Sequence, residues 1–273
     1  MKLLNSQANL QATPLLLIRA LFKRSQVFDI SQKRLALQDF TFNRQQLTRY
    51  QNMFQISEQI IPPAFLFVAS LNAQLSLLLD KRNKLTVLGL IHRSISFIQF
   101  SEMKLDTKYS LVLEIVEERA TAIGIEFEIN CRLMLNQTCV CQYRSVYLIR
   151  GSKTQSRKVA TEQILVIPSA SDHCLDISEK DARHYASVSK DYNLIHLHKS
   201  LSRLFGYKRP IIHGMYLVGH MMPTIQPLNQ SVSFTFLRPV LLPNELYYKC
   251  SSEITLLVTP EGKRVIEMQV SKK

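Results

Sequence analysis

Ser94-Ile95-Ser96-Phe97 and Ser231-Val232-Ser233-Phe234 are near-copies of one another in a chain of 273 residues. Their offset, 231 − 94 = 137, is almost half the length. Extended without gaps, the register sets Met103 on Val240, Leu105 on Leu242, and Asp106-Thr107-Lys108 on Pro243-Asn244-Glu245. Both windows alternate apolar and polar residues as strands do, then reach a polar turn before a second strand. Each follows an apolar, helix-like segment, residues 63–79 in one half and 210–222 in the other. The same order of helix, strand, turn and strand thus occurs twice.

Around the first copy, residues 109–118, 121–135 and 138–150 are rich in Ile, Val, Leu, Phe and Tyr. Short polar turns such as Asn136-Gln137 join them, which predicts an antiparallel meander. Around the second, strands are expected at 231–237, 246–258 and 263–270, broken at Pro260-Glu261-Gly262. One long helix against a strongly curved antiparallel sheet, present twice, is an α+β architecture. The division falls at 1–150 and 151–273, with 151–171 as a linker whose apolar run 164–167 is an entering strand.

Composition narrows the function. Apolar residues make up 46 % and charged residues 20 %, enough for a sizeable core. Seven glycines are few, and neither GxGxxG nor GxxxxGK[ST] occurs, so a Rossmann or P-loop phosphate cradle is excluded. Net charge is +13 (34 Lys and Arg against 21 Asp and Glu), which points to a polyanionic partner. The cations are dispersed as pairs such as Lys208-Arg209 and Lys263-Arg264 rather than in runs, which argues against nucleic acid. Cys131, Cys139, Cys141, Cys174 and Cys250 are odd in number and lack metal-ligand spacing, as expected of reduced thiols in the cytoplasm. Residues 15–22 are too short and carry Arg19, so they read as an amphipathic helix packed on its own domain. No integral membrane span is expected.

Chemistry concentrates in residues 178–222. Ser178-Glu179-Lys180-Asp181 forms a capping box that starts a helix carrying Tyr185-Ala186 and ending near 187–189. Asp191, Asn193 and His196 then lie within six residues on an interhelical loop. A carboxylate and an imidazole so close can converge on one water, as general acid–base work requires. Walls made of Leu194, Ile195 and Leu197 would move both pKa values toward neutrality. Gly214, at a helix start, offers an uncrowded N–H to a developing oxyanion. No metal spacing is satisfied. On local grounds alone, Asp191 is equally a helix cap, Asn193 a left-handed turn residue, His213 an ordinary helix start, and Met215 core.

The combined string, Tyr185-Ala186 through Asp191-Tyr192-Asn193-Leu194-Ile195-His196, then Phe205-Gly206-Tyr207 and Ile212-His213-Gly214-Met215, resembles the MaoC-like hydratase/dehydratase family. The resemblance implies a double hot-dog fold, in which each curved sheet wraps a helix. It also implies reversible hydration of trans-2-enoyl thioesters to (R)-3-hydroxyacyl thioesters. By position, Asp191 and His196 would activate the water, Asn193 would orient the site, and the Gly214 N–H would polarise the thioester carbonyl. His213, Met215, Lys208 and Arg209 would contact substrate. No cofactor is implied beyond the substrate's own carrier, coenzyme A or the phosphopantetheine of an acyl carrier protein. Lys208-Arg209 and Lys263-Arg264, with Arg238, suit cofactor phosphates or an acidic carrier helix equally.

Three departures stand out. Lys190 replaces a glycine, Leu194 a proline, and His198 an aspartate. The first half has neither a D-x-N-x-x-H string nor a His-Gly pair, so its copy is degenerate, with its apolar helix leaving room for an acyl chain. A hot-dog thioesterase with Asp191 as base, and a non-catalytic acyl-thioester binding protein, remain as alternatives. A two-copy chain mimics a dimer by itself and leaves a homodimer open.

Overall fold

The computed structural model describes residues 2–4, 10, 15–16, 19–20, 23, 28–87, 89–150, 165–222 and 228–272. In the first half these form strands β1 (Lys2–Leu4), β2 (Asp29–Ile30), β3 (Arg34–Phe40), β4 (Asn83–Lys84), β5 (Ile91–Gln99), β6 (Tyr109–Thr121), β7 (Gly124–Leu135) and β8 (Thr138–Arg150). Helices α1 (Arg44–Phe54), α2 (Pro63–Ala69) and α3 (Leu71–Leu78) lie between β3 and β4. The second half contributes β9 (Cys174–Ile177), α4 (Glu179–Ser189), α5 (Lys199–Arg203), α6 (Gly214–Met221), β10 (Gln230–Phe236), β11 (Asn244–Cys250), β12 (Ile254–Val258) and β13 (Arg264–Lys272).

Eleven strands make one sheet in the order β1-β3-β6-β7-β8-β5-β10-β13-β12-β11-β9. From its centre the sheet reads outward as β5, β8, β7, β6, β3 on one side and β10, β13, β12, β11, β9 on the other. The two copies of the repeated tetrapeptide are hydrogen-bonded to one another at that centre. Ser96 pairs with Ser233, Ile95 with Phe234 and Phe97 with Val232, antiparallel. Ser96 and Ser233 are also equivalent at the 137-residue offset, so an approximate two-fold axis passes between them. Ile95, Phe97, Val232 and Phe234 are all buried on the helix-covered face.

The helices repeat as well, at an offset of 178 − 43 = 135. Asn43 and Ser178 cap α1 and α4 through their side chains, Tyr50 and Tyr185 are buried, and Gln55 and Lys190 end the helices with left-handed backbones. Gln46 Nε2 of α1 donates to the Val188 carbonyl of α4 (2.8 Å), bracing the halves. The copies then diverge: residues 55–62 join α1 to α2, whereas the much longer segment 190–213 joins α4 to α6.

Several sequence expectations needed correction. The helix expected over 63–79 breaks at Ser70, whose hydroxyl bonds the Phe67 carbonyl and the Tyr143 hydroxyl. That bonding pulls the backbone out of helical register. The helix expected from 210 starts only at Gly214, because 210–212 run extended beside 240–242, with Ile212 N donating to Val240 O and Leu242 N to Pro210 O. The strand expected over 246–258 is a hairpin, turned where the Ser251 side chain accepts from Ile254 N. Residues 165–167 form no strand, and β9 takes the sheet edge against β11. The start of that run, and the linker at 151–164, lie outside the described residues.

Of residues 15–22, those described are helical, with Leu16 and Ala20 buried against Leu75 and Leu79. Arg19 and Lys23 donate to the carbonyls of Leu78, Leu79 and Asp80. This satisfies orphan acceptors at the end of α3, where cations are favoured. Among the described residues no helix is long and apolar enough to cross a membrane. The first-half core is filled with Phe40, Phe65, Phe97, Phe127, Tyr50 and Tyr143, all fully buried. The apolar helix α2 is itself packed among these rings, against the expectation of space there.

Gly219 on α6 faces Phe54 of α1, and a Cβ there would come within 2.4 Å of the ring. Gly219→Ala should therefore overpack the helix contact and cost about 2 kcal/mol. Thermal denaturation is expected to show Tm lowered by roughly 5 °C.

Candidate active site

The site grows out of the end of α4. The capping box forms as the sequence requires: Ser178 Oγ accepts from Asp181 N (3.3 Å), and Asp181 accepts from Ser178 N (2.8 Å). Eleven residues later the helix stops at Lys190, with φ 64° and ψ 14°. That left-handed turn is the conformation for which the resembling family carries glycine, and Lys190 adopts it regardless. Ser189 Oγ bonds back to Tyr185 O and accepts from Asp191 N, which fixes where the chain leaves the helix.

Asp191 Oδ1 accepts from Asn193 N (3.2 Å), closing a side-chain turn that holds the carboxylate. Asn193 itself is not left-handed; its φ is −59°, and its Oδ1 is buried with no partner among the described residues. A single 3₁₀ turn, Leu194–His196, then carries the imidazole inward. His196 Nδ1 lies 2.8 Å from the Ile211 carbonyl. A carbonyl only accepts, so Nδ1 carries the proton and Nε2 keeps a free lone pair. Burial lowers the His196 pKa, and the Asp191 charge opposes this only in part. The shift is away from 7 rather than toward it, leaving a neutral imidazole at physiological pH.

His213 stacks on His196 with ring centroids 3.6 Å apart and 27° between planes. Its Nε2 donates to the Asp191 carbonyl (3.0 Å), and its Nδ1 is buried without a partner among the described residues. Burial, and next the His196 ring, push its pKa well below the ordinary value. Side-chain ligand atoms of Asp191, His196 and His213 lie within 4.8 Å of one another, a convergence that the sequence spacing does not show. Three such groups could hold a metal ion. Face-to-face rings, however, would place a shared ion out of both ring planes, a poor match to tetrahedral ligation. The arrangement suits a water molecule better.

Gly214 is the first residue of α6, so its N–H has no intrahelical acceptor and sits at the positive end of the helix. A Cβ on Gly214 would meet the Phe236 ring at 2.7 Å, so only glycine lets the helix start lie so close to β10. Met215, expected to contact substrate, is buried in the core. Lys208 and Arg209 are exposed and line an open cleft of about 640 Å³ with Lys199, Arg203, Gly206, Tyr207 and Leu241. Leu241 bridges to Ile211, the residue whose carbonyl holds His196, so cleft and imidazole are neighbours. Arg238 and Arg264 lie elsewhere: Arg238 Nε donates to the Arg264 carbonyl, and Arg264 pairs with Glu267.

Sequence reasoning missed five contributors. Phe236 and the Ile211 carbonyl carry no recognisable local pattern. Tyr147 comes from the first half, its hydroxyl pushed upward by burial and, less, by the Asp191 charge. Lys199 and Arg203 had a signal in their i, i+4 spacing on one short helix. His198 is also explained: it caps α5, its Nδ1 accepting from Ser200 N, the task an aspartate performs there.

Comparison with known proteins agrees with this architecture. Residues 156–271 match the family described as MaoC like domain. A 3-hydroxyacyl-thioester dehydratase X from Mycobacterium tuberculosis is 36 % identical over 72 residues, 25 % of this chain. That match spans about a quarter, 26 %, of the relative's own length. The solved structure of HtdX from Mycobacterium tuberculosis superposes with a TM-score of 0.76 at 17 % identity, covering 88 % of this chain and 100 % of that one. A MaoC-like dehydratase from Phytophthora capsici gives 0.64 at 15 % identity, covering 89 % and 97 %. The chain therefore has the α+β hot-dog fold of MaoC-like proteins.

Lys190→Gly should relieve the left-handed strain while raising unfolded-chain entropy, for a net gain of about 1 kcal/mol. Differential scanning calorimetry is expected to register a Tm increase of roughly 2 °C.

Proposed function

We propose that the chain is a hydro-lyase of the MaoC-like type, catalysing reversible addition of water to trans-2-enoyl thioesters to give (R)-3-hydroxyacyl thioesters. The convergence of Asp191 and His196 beside the start of α6 carries this reading. The named activity of the mycobacterial relative supports it.

In this reading the enoyl thioester carbonyl accepts from the Gly214 N–H, and the helix start stabilises the enolate oxygen as charge develops. Water lies between Asp191 and His196. The neutral Nε2 takes its proton as the hydroxyl adds to Cβ, and the same proton is returned to Cα, so that one water is consumed and no group is left charged. The Ile211 carbonyl holds the tautomer this needs. Asn193 Oδ1, buried and without a partner among the described residues, orients the water. His213, stacked beneath the base, fixes its plane. Lys208 and Arg209 meet the carrier of the thioester, coenzyme A or phosphopantetheine, and no other cofactor enters. Residues 1–150 serve as a structural copy and 151–273 as the catalytic one.

Asp191→Asn and His196→Ala should each lower kcat by about 10²–10⁴-fold, read as loss of enoyl-thioester absorbance. Full activity in both variants would refute the assignment. Because burial depresses His196, the acid limb of the kcat/KM profile should fall below pH 6.5, the ordinary histidine value. A limb above 7 would exclude His196 as the base.

A further inference from the structure

We infer that the basic cleft between α5 and Leu241 docks a protein carrier, through an acidic amphipathic helix of that partner, rather than a free nucleotide carrier. The inference rests on the hydratase reading and specifies how its substrate is delivered.

The cleft is lined by four cations, Lys199, Arg203, Lys208 and Arg209. Among the described residues, none of the four forms an ion pair, although Asp and Glu pair with cations across much of the remaining surface. The segment 199–209 contains no acidic residue at all. Four unneutralised cations at the mouth of one cleft favour a partner bearing several negative charges.

Apolar exposure decides between partners. Leu204, next to Arg203 at the end of α5, is 76 % exposed, more than any other large apolar side chain described. Tyr207 and Leu241 add apolar surface within the cleft itself. A nucleotide seated in the cleft, with its base on Tyr207, would leave Leu204 uncovered, because Leu204 is not among the residues that line the cleft. An amphipathic helix with acidic residues around an apolar anchor uses both the leucine and the cations, since docking patches combine an apolar centre with a charged rim. The geometry also joins docking to chemistry. Leu241 bridges Ile211, and Ile211 N donates to Ile195 O while its carbonyl holds His196. A carrier seated on α5 would therefore deliver its phosphopantetheine arm beside the catalytic loop. The overall charge of +13 would steer an acidic protein toward this face, with an on-rate that falls as salt rises.

The test measures binding directly, so that it does not depend on turnover. An acidic acyl carrier protein in its phosphopantetheinylated form, and coenzyme A, are titrated separately into the full chain at low and high salt. The expected result is carrier affinity at least tenfold tighter than that for coenzyme A, weakened tenfold or more by salt. In Lys199→Glu/Arg203→Glu, carrier binding should fall at least tenfold while the melting curve is unchanged. Leu204→Ala should weaken the carrier about fivefold and leave coenzyme A unaffected. Equal or tighter binding of coenzyme A, lost in the charge-reversal variant, would overturn the inference in favour of a nucleotide phosphate site. Binding of neither would overturn it outright. Hydration of an enoyl N-acetylcysteamine thioester by the wild type, which carries neither nucleotide nor protein, reads the chemistry separately from the docking.

Discussion

Everything else in this structure hangs on the antiparallel seam between β5 and β10. A lone half would leave one of these strands as a sheet edge, with unpaired N–H and C=O groups beside buried Ile95 and Phe97 or Val232 and Phe234. Pairing the edges closes both at once and makes a single sheet continuous across the molecule. Register at the seam is constrained from both sides. A one-residue slip would turn the two buried side chains of one strand outward and its serines inward. The near-identity of the two tetrapeptides follows from this geometry, since strands that pair about a two-fold axis meet the same environment.

With the seam fixed, the two halves can differ only where the sheet does not dictate the chain. The caps at Asn43 and Ser178, the buried tyrosines at 50 and 185, and the left-handed exits at Gln55 and Lys190 keep the common plan. Beyond those exits the first half returns to its next helix within residues 55–62, a path too short to hold a carboxylate turn, a 3₁₀ turn and α5. The second half uses 190–213 for all three, and then anchors that long excursion by pairing 210–212 with 240–242. The difference between the halves here is thus a matter of chain length as well as of residue type.

The legibility of these features in sequence varied with their range. The α+β class, the repeat and the meander came through because strand periodicity and turn signals are local; Asn136 and Gln137 both adopt positive φ, as a tight hairpin demands. The helix starting at Ser178 was readable from its capping box. The break at Ser70 was not, because it depends on a hydroxyl from Tyr143, distant in sequence. Asp191, Asn193 and His196 were legible as a string, but the placement of His213 on His196 required the fold. The left-handed Lys190 shows the limit from the other side: local preference opposed that conformation, and the surrounding hydrogen bonds at Ser189 and Asp191 imposed it.

Helix α6 unites the two halves at the site. Its only glycines, Gly214 and Gly219, each receive an aromatic ring where a Cβ would otherwise stand: Phe236 from β10 at the helix start, Phe54 from the first half nearer its end. Phe236 in turn contacts His92, which stacks on Tyr147 and Phe67 of the first half. Rings packed at interior density do not deform gradually. The position of the Gly214 N–H is therefore held on two sides by aromatic contacts, one of them leading through His92 into the first half. In this architecture that half gives the helix start rigidity, and the proposed hydration needs such rigidity, because a fixed dipole stabilises a developing oxyanion.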